Sequence, residues 1–234
     1  DPFRGTPNPA WLAHQTSMEL NETNTFGYRI GLMTSQVRHM FRDVPDSIDT
    51  YARMSQMSQA EAFKYFIERF RTAKWNKTGI IWWNLLDGWQ QVSDAVVNYN
   101  FRPKLAYSFI RRAQEPVLMA FSDPQQDGRY DLHAVNDTQT AVVLTYEVRD
   151  LWGVASQDAA PLLLSGTVTV LADGNTVAAR LDLTGRLDHV LHIRWTDADG
   201  NTHTSHYIAE PKHLEYRPYA DALRLCGFDC FVGF

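Results

Sequence analysis

The chain has 234 residues, of which 44% are hydrophobic and 21% charged, and a formal net charge of −5 at pH 7. This is enough for one large or two ordinary globular domains. The acidic balance argues against nucleic acid or an anionic membrane as the main partner, and no run approaches the ~18 apolar residues of a membrane helix.

The first residues, Asp1-Pro2-Phe3-Arg4, include no start Met, basic n-region or apolar h-region, so the chain reads as an excised or processed segment. Residues 1–25 are rich in Pro, Asn and Thr and read as loop. From 26 to 42, Tyr28, Leu32, Met33, Val37, Met40 and Phe41 form one helical stripe. Val44-Pro45-Asp46-Ser47 breaks it. A longer helix follows from about Ile48 to Lys74, on the three- and four-residue steps of Met54, Met57, Phe63, Phe66, Ile67 and Phe70. Ser58 and Glu61 have capping-box spacing, although the apolar pattern starts before them and puts Glu61 mid-helix.

Lys77-Thr78-Gly79 closes that helix. The run Ile80-Ile81-Trp82-Trp83-Asn84 is short, apolar and β-branched, which predicts a buried parallel strand. Leu85 to Asn100 reads as a long loop. Arg102-Pro103 opens a helix to about Ala113, with Pro in its first turn. Helix, helix, strand, loop, helix is an α/β order.

From Pro116 to about Ala209 the character changes to short β-branched runs between turns, which implies a sandwich of immunoglobulin type. The runs are 142–148, 167–170, 178–183, 190–195 and 202–208, with Asp199-Gly200 as a hairpin turn. Trp152 and Trp195, the two Trp of this region, read as core. A short helix is expected from Tyr219 to Leu225. Cys226 and Cys230 read as free thiols in a tail, with a local disulfide as the alternative; two thiols do not make a zinc site. Asp197-Ala198-Asp199-Gly200-Asn201 lacks the downstream Glu of a calcium loop and reads as a hairpin tip. His203 and His206 point to opposite faces of a strand and make a poor metal pair. Arg111-Arg112 reads as a solvated helix end. Asn21, Asn76 and Asn136 begin sequons of low information content.

The most informative segment is Gly79-Ile80-Ile81-Trp82-Trp83-Asn84-Leu85-Leu86-Asp87-Gly88-Trp89. Together with His14-Gln15, Ser55-Gln56-x-x-Gln59-Ala60-Glu61-Ala62 and Arg102-Pro103-Lys104-x-x-Tyr107, it resembles the β-mannosidase-like members of glycoside hydrolase family 2. Those enzymes carry an aromatic-Trp-(Gln/Asn)-Leu-x-Asp-x-Trp pattern after their last barrel strand. The resemblance implies a (β/α)8 barrel with its active site at the strand C-termini, of which this chain would supply the part after the seventh strand. The implied fold class is α/β followed by all-β. Residues 1–115 would be the last part of the barrel, mostly helical with its last strand, and residues 116–234 an immunoglobulin-like sandwich with a tail.

A retaining glycosidase needs two carboxyl groups roughly 5 Å apart. In the family these are Glu residues ending the fourth and seventh strands. Here Glu19 has no strand before it, Glu22 lies in a polar loop, and Glu61 and Glu68 sit on the long helix, where surface or helix-pair roles are the default. No catalytic residue is therefore assigned within the chain; both are expected upstream, and the chain alone is expected to be inactive. The implied substrate-binding residues are Trp83, Asn84, Asp87 and Trp89. Trp83 would floor a sugar subsite, with Trp82 as the competing candidate. Asp87 would accept from sugar hydroxyls or cap a turn. Trp89 would stack a sugar or anchor the loop, and the family's usual Trp-Pro is Trp89-Gln90 here. Asp94 reads as structural. Neither metal nor organic cofactor is implied. The expected partners are a carbohydrate substrate and either the upstream polypeptide or a second copy, because one strand cannot close a barrel. Residues 26–114 are then expected to pack as helices on the sandwich, pair with a second copy, or be poorly ordered. A non-catalytic carbohydrate-binding or structural sandwich module is the alternative reading.

Overall fold

The structure is a computed structural model and describes residue 14 and residues 28–183, 188–209 and 212–228. The loop reading of residues 1–25, with Glu19, Glu22 and the Asn21 sequon, lies outside the described residues except for His14, and so does Cys230.

Three helices come first: α1 (Tyr28–Phe41), α2 (Ile48–Thr72) and α3 (Leu105–Ala113). Seven strands follow: β1 (Val117–Phe121), β2 (Tyr130–Asn136), β3 (Val142–Asp150), β4 (Leu162–Val170), β5 (Asn175–Leu181), β6 (His189–Thr196) and β7 (Thr202–Ala209). Helix α4 (Tyr216–Leu225) comes last. Ser47 caps α2, its side chain accepting from the Thr50 amide, so the break at Val44-Pro45 is also the next helix's start signal.

The strands form two antiparallel sheets, β1-β2-β5 and β4-β3-β6-β7. Alternation on β3 sends Leu144, Tyr146 and Val148 inward to meet Leu118, Leu132, Leu191, Ile193 and Trp195. Strand β6 departs from that alternation, being buried on both faces from His189 to Ile193. Its inner residues fill the sandwich, while Val190 joins the core of the helical layer. That second core unites α1, α2, α3 and α4 through Val37, Met57, Phe109, Tyr219 and Leu223, and includes Leu151 and Ala160 from the sandwich. The helical layer therefore covers the outside of the four-stranded sheet. Trp195 is fully buried, and Trp152 packs half-buried against the helical core.

Several expectations need correction. Ile80–Asn84 is not a buried parallel strand. Among the described residues the run pairs with no strand, and Ile81 is 98% exposed. Arg112 is not solvated: it donates to the Cys226 and Gly227 carbonyls and lies 3.9 Å from the Phe228 ring centroid. Cys226 is buried rather than part of a loose tail, because α4 returns to the helical core. Glu68 is buried (3% exposed) and Glu61 half-buried against the sandwich; Glu68 makes the helix pair with Lys64, but both also reach partners on β7. At the 197–201 tip, the Asp197 carboxylate accepts from the amides of Asp199 and Asn201, and Gly200 takes φ +85, as the hairpin reading requires.

Asn136, the acceptor of one sequon, is completely buried. Its Nδ2 donates to the carbonyls of Thr140 (2.8 Å) and Leu171 (3.0 Å), and its Oδ1 accepts from the Thr138 amide and hydroxyl. It thus ties the β2–β3 and β4–β5 turns together. Asn136→Ala orphans these groups and is expected to cost about 2–4 kcal/mol. A thermal melt that shifts by no more than the scatter of wild-type replicates would sink this assignment.

Candidate functional site

The site is a loop frame running from Trp82 to Lys104. Trp82 packs on Phe63 of α2, with ring centroids 5.7 Å apart, which leaves its neighbour Trp83 68% exposed. The Trp83–Asn84 peptide is cis. Ala95 and Val96 are buried and act as the spine of the frame. The Asn84 carbonyl accepts from the Val96 amide (3.1 Å), the Leu85 carbonyl from Val97 (2.9 Å), and the Val97 carbonyl from Asp87 (3.1 Å). On the far side, the Lys104 amide donates to the Val96 carbonyl at 2.8 Å.

Helix α2 holds this frame with two amide side chains. Gln59 Nε2 donates to the Asp94 carbonyl at 2.5 Å, and Gln56 Oε1 accepts from the Leu105 amide at 3.2 Å. They lie three positions apart on one face of the helix. At the rim, His14 Nδ1 lies 2.8 Å from the Gln90 carbonyl, and the His14 carbonyl accepts from the Val92 amide at 2.7 Å.

Asp87 is 2% exposed. Its Oδ1 accepts from the Ser93 hydroxyl and from Gln91 Nε2 (3.2 Å), and its Oδ2 pairs with Lys104 Nζ at 3.4 Å. Lys104 also donates to the Ser93 carbonyl at 3.2 Å. Burial pulls the Lys104 pKa below the usual lysine range, against the opposing pull of the Asp87 charge. Asp87 thus commits its carboxylate to the interior of the loop. Asn84 is half-buried, and its Oδ1 has no hydrogen-bond partner in the structure. Trp89 is half-buried.

The four residues singled out from sequence therefore fall into two kinds. Trp83 offers a free ring face, whereas Asn84 Oδ1 is buried without a partner; Asp87 braces the loop from beneath, and Trp89 lies half-covered. Sequence reasoning gave no role to Ser93, Gln91 or Lys104, or to the two glutamines as braces. The usable signal was the company they keep: an Asp with a Lys, Ser and Gln clustered around an apolar spine. Such a frame can present an aromatic face to a ligand. Its carboxylates Asp87 and Asp94 both act on the Lys104 charge, and Asp87 is paired with it.

No family model matches the chain. β-Mannosidase B of Aspergillus oryzae is 26% identical over 197 residues, covering 74% of this chain and 22% of that protein. β-Mannosidase B of Aspergillus niger is 25% identical over 197 residues, with the same coverage of 74% and 22%. This chain resembles the C-terminal portion of glycoside hydrolase family 2 β-mannosidases. It spans 22% of the length of these curated relatives. Among solved structures, the β-D-mannosidase from Dictyoglomus thermophilum superposes with a TM-score of 0.65 at 18% identity, covering 88% of this chain and 25% of that one. The exo-chitosanase CsxA of Amycolatopsis orientalis gives a TM-score of 0.62 at 21% identity, covering 80% and 22%. At these identities the structural likeness speaks to fold. The helices followed by two antiparallel sheets match the C-terminal region of this family.

Proposed function

We propose that this β-mannosidase-like chain forms one wall of the sugar site of a retaining glycoside hydrolase acting on terminal β-linked sugars. In this reading Ile80–Asn84 is the last strand of a barrel closed by the rest of the polypeptide or by a second copy. The strand order β1-β2-β5 against β4-β3-β6-β7 supports an immunoglobulin-type sandwich behind it. Trp83 is the platform for the apolar face of a pyranose, Asn84 borders it, and Asp87 positions both through the frame. Trp89 borders the site.

The observation that carries the proposal is the contrast between a rigidly braced loop and the indole it leaves exposed. An aromatic ring 68% in solvent, next to a buried and doubly bonded Asp87, is a costly arrangement unless something stacks on it. Glu61 and Glu68 are engaged by His206, Tyr219, Lys64 and Ser205, so the acid/base and nucleophile are assigned to polypeptide outside these residues. Mannosides are the leading substrate because of the relatives' names, with β-galactosides and β-glucuronides as the other candidates.

In the whole enzyme, Trp83→Ala is expected to lower kcat/KM on p-nitrophenyl β-D-mannoside by about 100-fold, on the order of 3 kcal/mol of lost binding shared by ground and transition states. An unchanged kcat/KM would remove Trp83 from the site. The 234-residue chain alone is expected to release no p-nitrophenol above the blank, and measurable turnover would overturn the assignment of the carboxylates elsewhere.

A further inference from the structure

A second cleft lies beyond the C-terminal end of α2. Thr72 to Lys77 turn the chain there: the amides of Asn76 and Lys77 donate to the Ala73 carbonyl at 3.0 and 3.1 Å. Trp75 sits in this turn at φ +72, the left-handed conformation that normally falls to Gly or Asn after a helix. It is nonetheless 71% exposed, so packing does not account for a bulky aromatic there. Beside it is a cleft of about 400 Å³ whose lining includes Arg71, Lys74, Trp75, Lys77, Gln114 and Asp137.

The charges around this cleft are uneven. Arg71 pairs with Asp137 at 2.8 Å, and Lys74 with Asp137 at 2.5 Å and Asp173 at 2.6 Å. Lys77 faces no carboxylate among the described residues; its ammonium lies 5.0 Å from the Phe70 ring centroid. Lys77 is thus the cation of this cleft with no carboxylate partner among the described residues, whereas Arg71 also feels the charges of Glu68 and Glu115. Lys74 Nζ also sits 5.5 Å from the Trp75 ring centroid, which places positive charge beside the exposed indole.

We infer that this cleft is a carbohydrate-binding site for a pyranose bearing a carboxylate, with its apolar face on Trp75 and its carboxylate on Lys77. Gln114 supplies an amide that can donate to and accept from hydroxyls. The cleft lies at the end of α2 away from Gln56 and Gln59, and 13 residues beyond Gln59 to Thr72 separate them by roughly 20 Å at 1.5 Å per residue. Its lining reaches Ile80, three residues before Trp83, so the two sites neighbour one another along the same run and are told apart by the readouts below.

The test is N-bromosuccinimide oxidation of the full-length protein, with Trp75 followed by peptide mass spectrometry. Without ligand Trp75 is expected to react fast. Glucuronic acid is expected to protect it at roughly tenfold lower concentration than glucose, the difference a charge-assisted hydrogen bond gives. Lys77→Met should bring glucuronic acid down to the level of glucose, while Trp83→Ala leaves the protection unchanged. Trp75→Ala should leave glycoside hydrolysis and thermal stability unaltered. If Trp75 is unreactive in the free protein, other polypeptide covers it and the proposal fails. Equal protection by glucose and glucuronic acid, or none by either, also overturns it.

Discussion

Replacing Glu61 with Ala is expected to destabilise the protein by about 3–5 kcal/mol, the usual cost of leaving buried polar partners without their charge. The carboxylate joins three elements. His206 of β7 donates Nε2–H to Oε1 at 2.5 Å, the Tyr219 hydroxyl of α4 donates to the same oxygen, and Glu61 itself comes from α2. One helical turn further on, Lys64 and Glu68 pair at 2.7 Å in full burial, and Ser205 donates to Glu68 at 3.0 Å. Burial alone would raise the Glu61 pKa. The attraction and hydrogen bond of His206, the Lys64 charge and the Tyr219 hydrogen bond outweigh it and hold the carboxyl below its usual range. His206 moves down chiefly through burial, against the attraction of Glu61. The hydrogen-bond geometry assigns it as the neutral Nε2–H tautomer. Its Nδ1 has no partner. A bare acceptor there is tolerable, whereas a proton would create a buried donor with nothing to receive it.

A loss of this size is a large share of the 5–15 kcal/mol typical of a domain, and corresponds to a Tm lower by on the order of 10 °C. Glu61→Gln keeps an acceptor and should cost much less. Equal melting temperatures for Glu61→Ala and wild type would show that the cluster is not the joint between the helical layer and the sheet. The same interface gives a pH signature. His192, opposite His206 on the neighbouring strand, is lowered to about 4 by burial first and then by His206 and Arg112. With a folded pKa below the unfolded ~6.5, the stability contribution is complete above pH ~6.5 and is lost as pH falls through about 4. The loss is about 3 kcal/mol for the single site. Glu61, also depressed, adds to the decline at lower pH. His192→Phe should flatten the pH dependence of the denaturant midpoint between pH 6.5 and 4. An unflattened curve would assign that slope to other groups.

These groups also show what the sequence made legible. Periodicity found α1 and α2 within two residues at every end, because amphipathic spacing over many turns averages out local noise. It found the β6–β7 hairpin because Asp199-Gly200 supplies its turn directly. It allowed Glu61 and Glu68 surface or helix-pair roles, and Glu68 does pair with Lys64, but a lone helix does not show what packs against its polar face. Nothing local to α2 announces His206, Tyr219 or Ser205, which lie more than 130 positions away. The Ile80–Asn84 run failed for a related reason. β-Branched and aromatic residues suit a pleated, half-buried surface, but a strand exists only beside another strand. In the loop frame, residue types pointed to Trp83 and Asp87 together. Only coordinates separate the exposed ring from the buried brace.

That separation makes Lys104 the second strong test. Lys104→Met removes the cation from Asp87, which is 2% exposed, and leaves a carboxylate that still holds Ser93 and Gln91. Breaking one side of a buried pair costs about 3–5 kcal/mol, while removing both sides is often close to neutral. The cost need not appear as global unfolding, because the loop can open without the cores. Amide exchange is therefore the sharper measurement: the Asp87, Val96 and Val97 amides, which close the frame onto Asn84, Leu85 and Val97 itself, should lose protection by roughly two orders of magnitude or more. Protection in β6 and β7 should stay as in wild type. Asp87→Asn combined with Lys104→Met should recover most of the loss, since a neutral amide can still bond Ser93 and needs no cation. If single and double variants exchange alike, the ion pair does not hold the loop. The exposure of Trp83 would then follow from the Gln56 and Gln59 braces alone, and Asp87 would be free for a direct role toward a ligand.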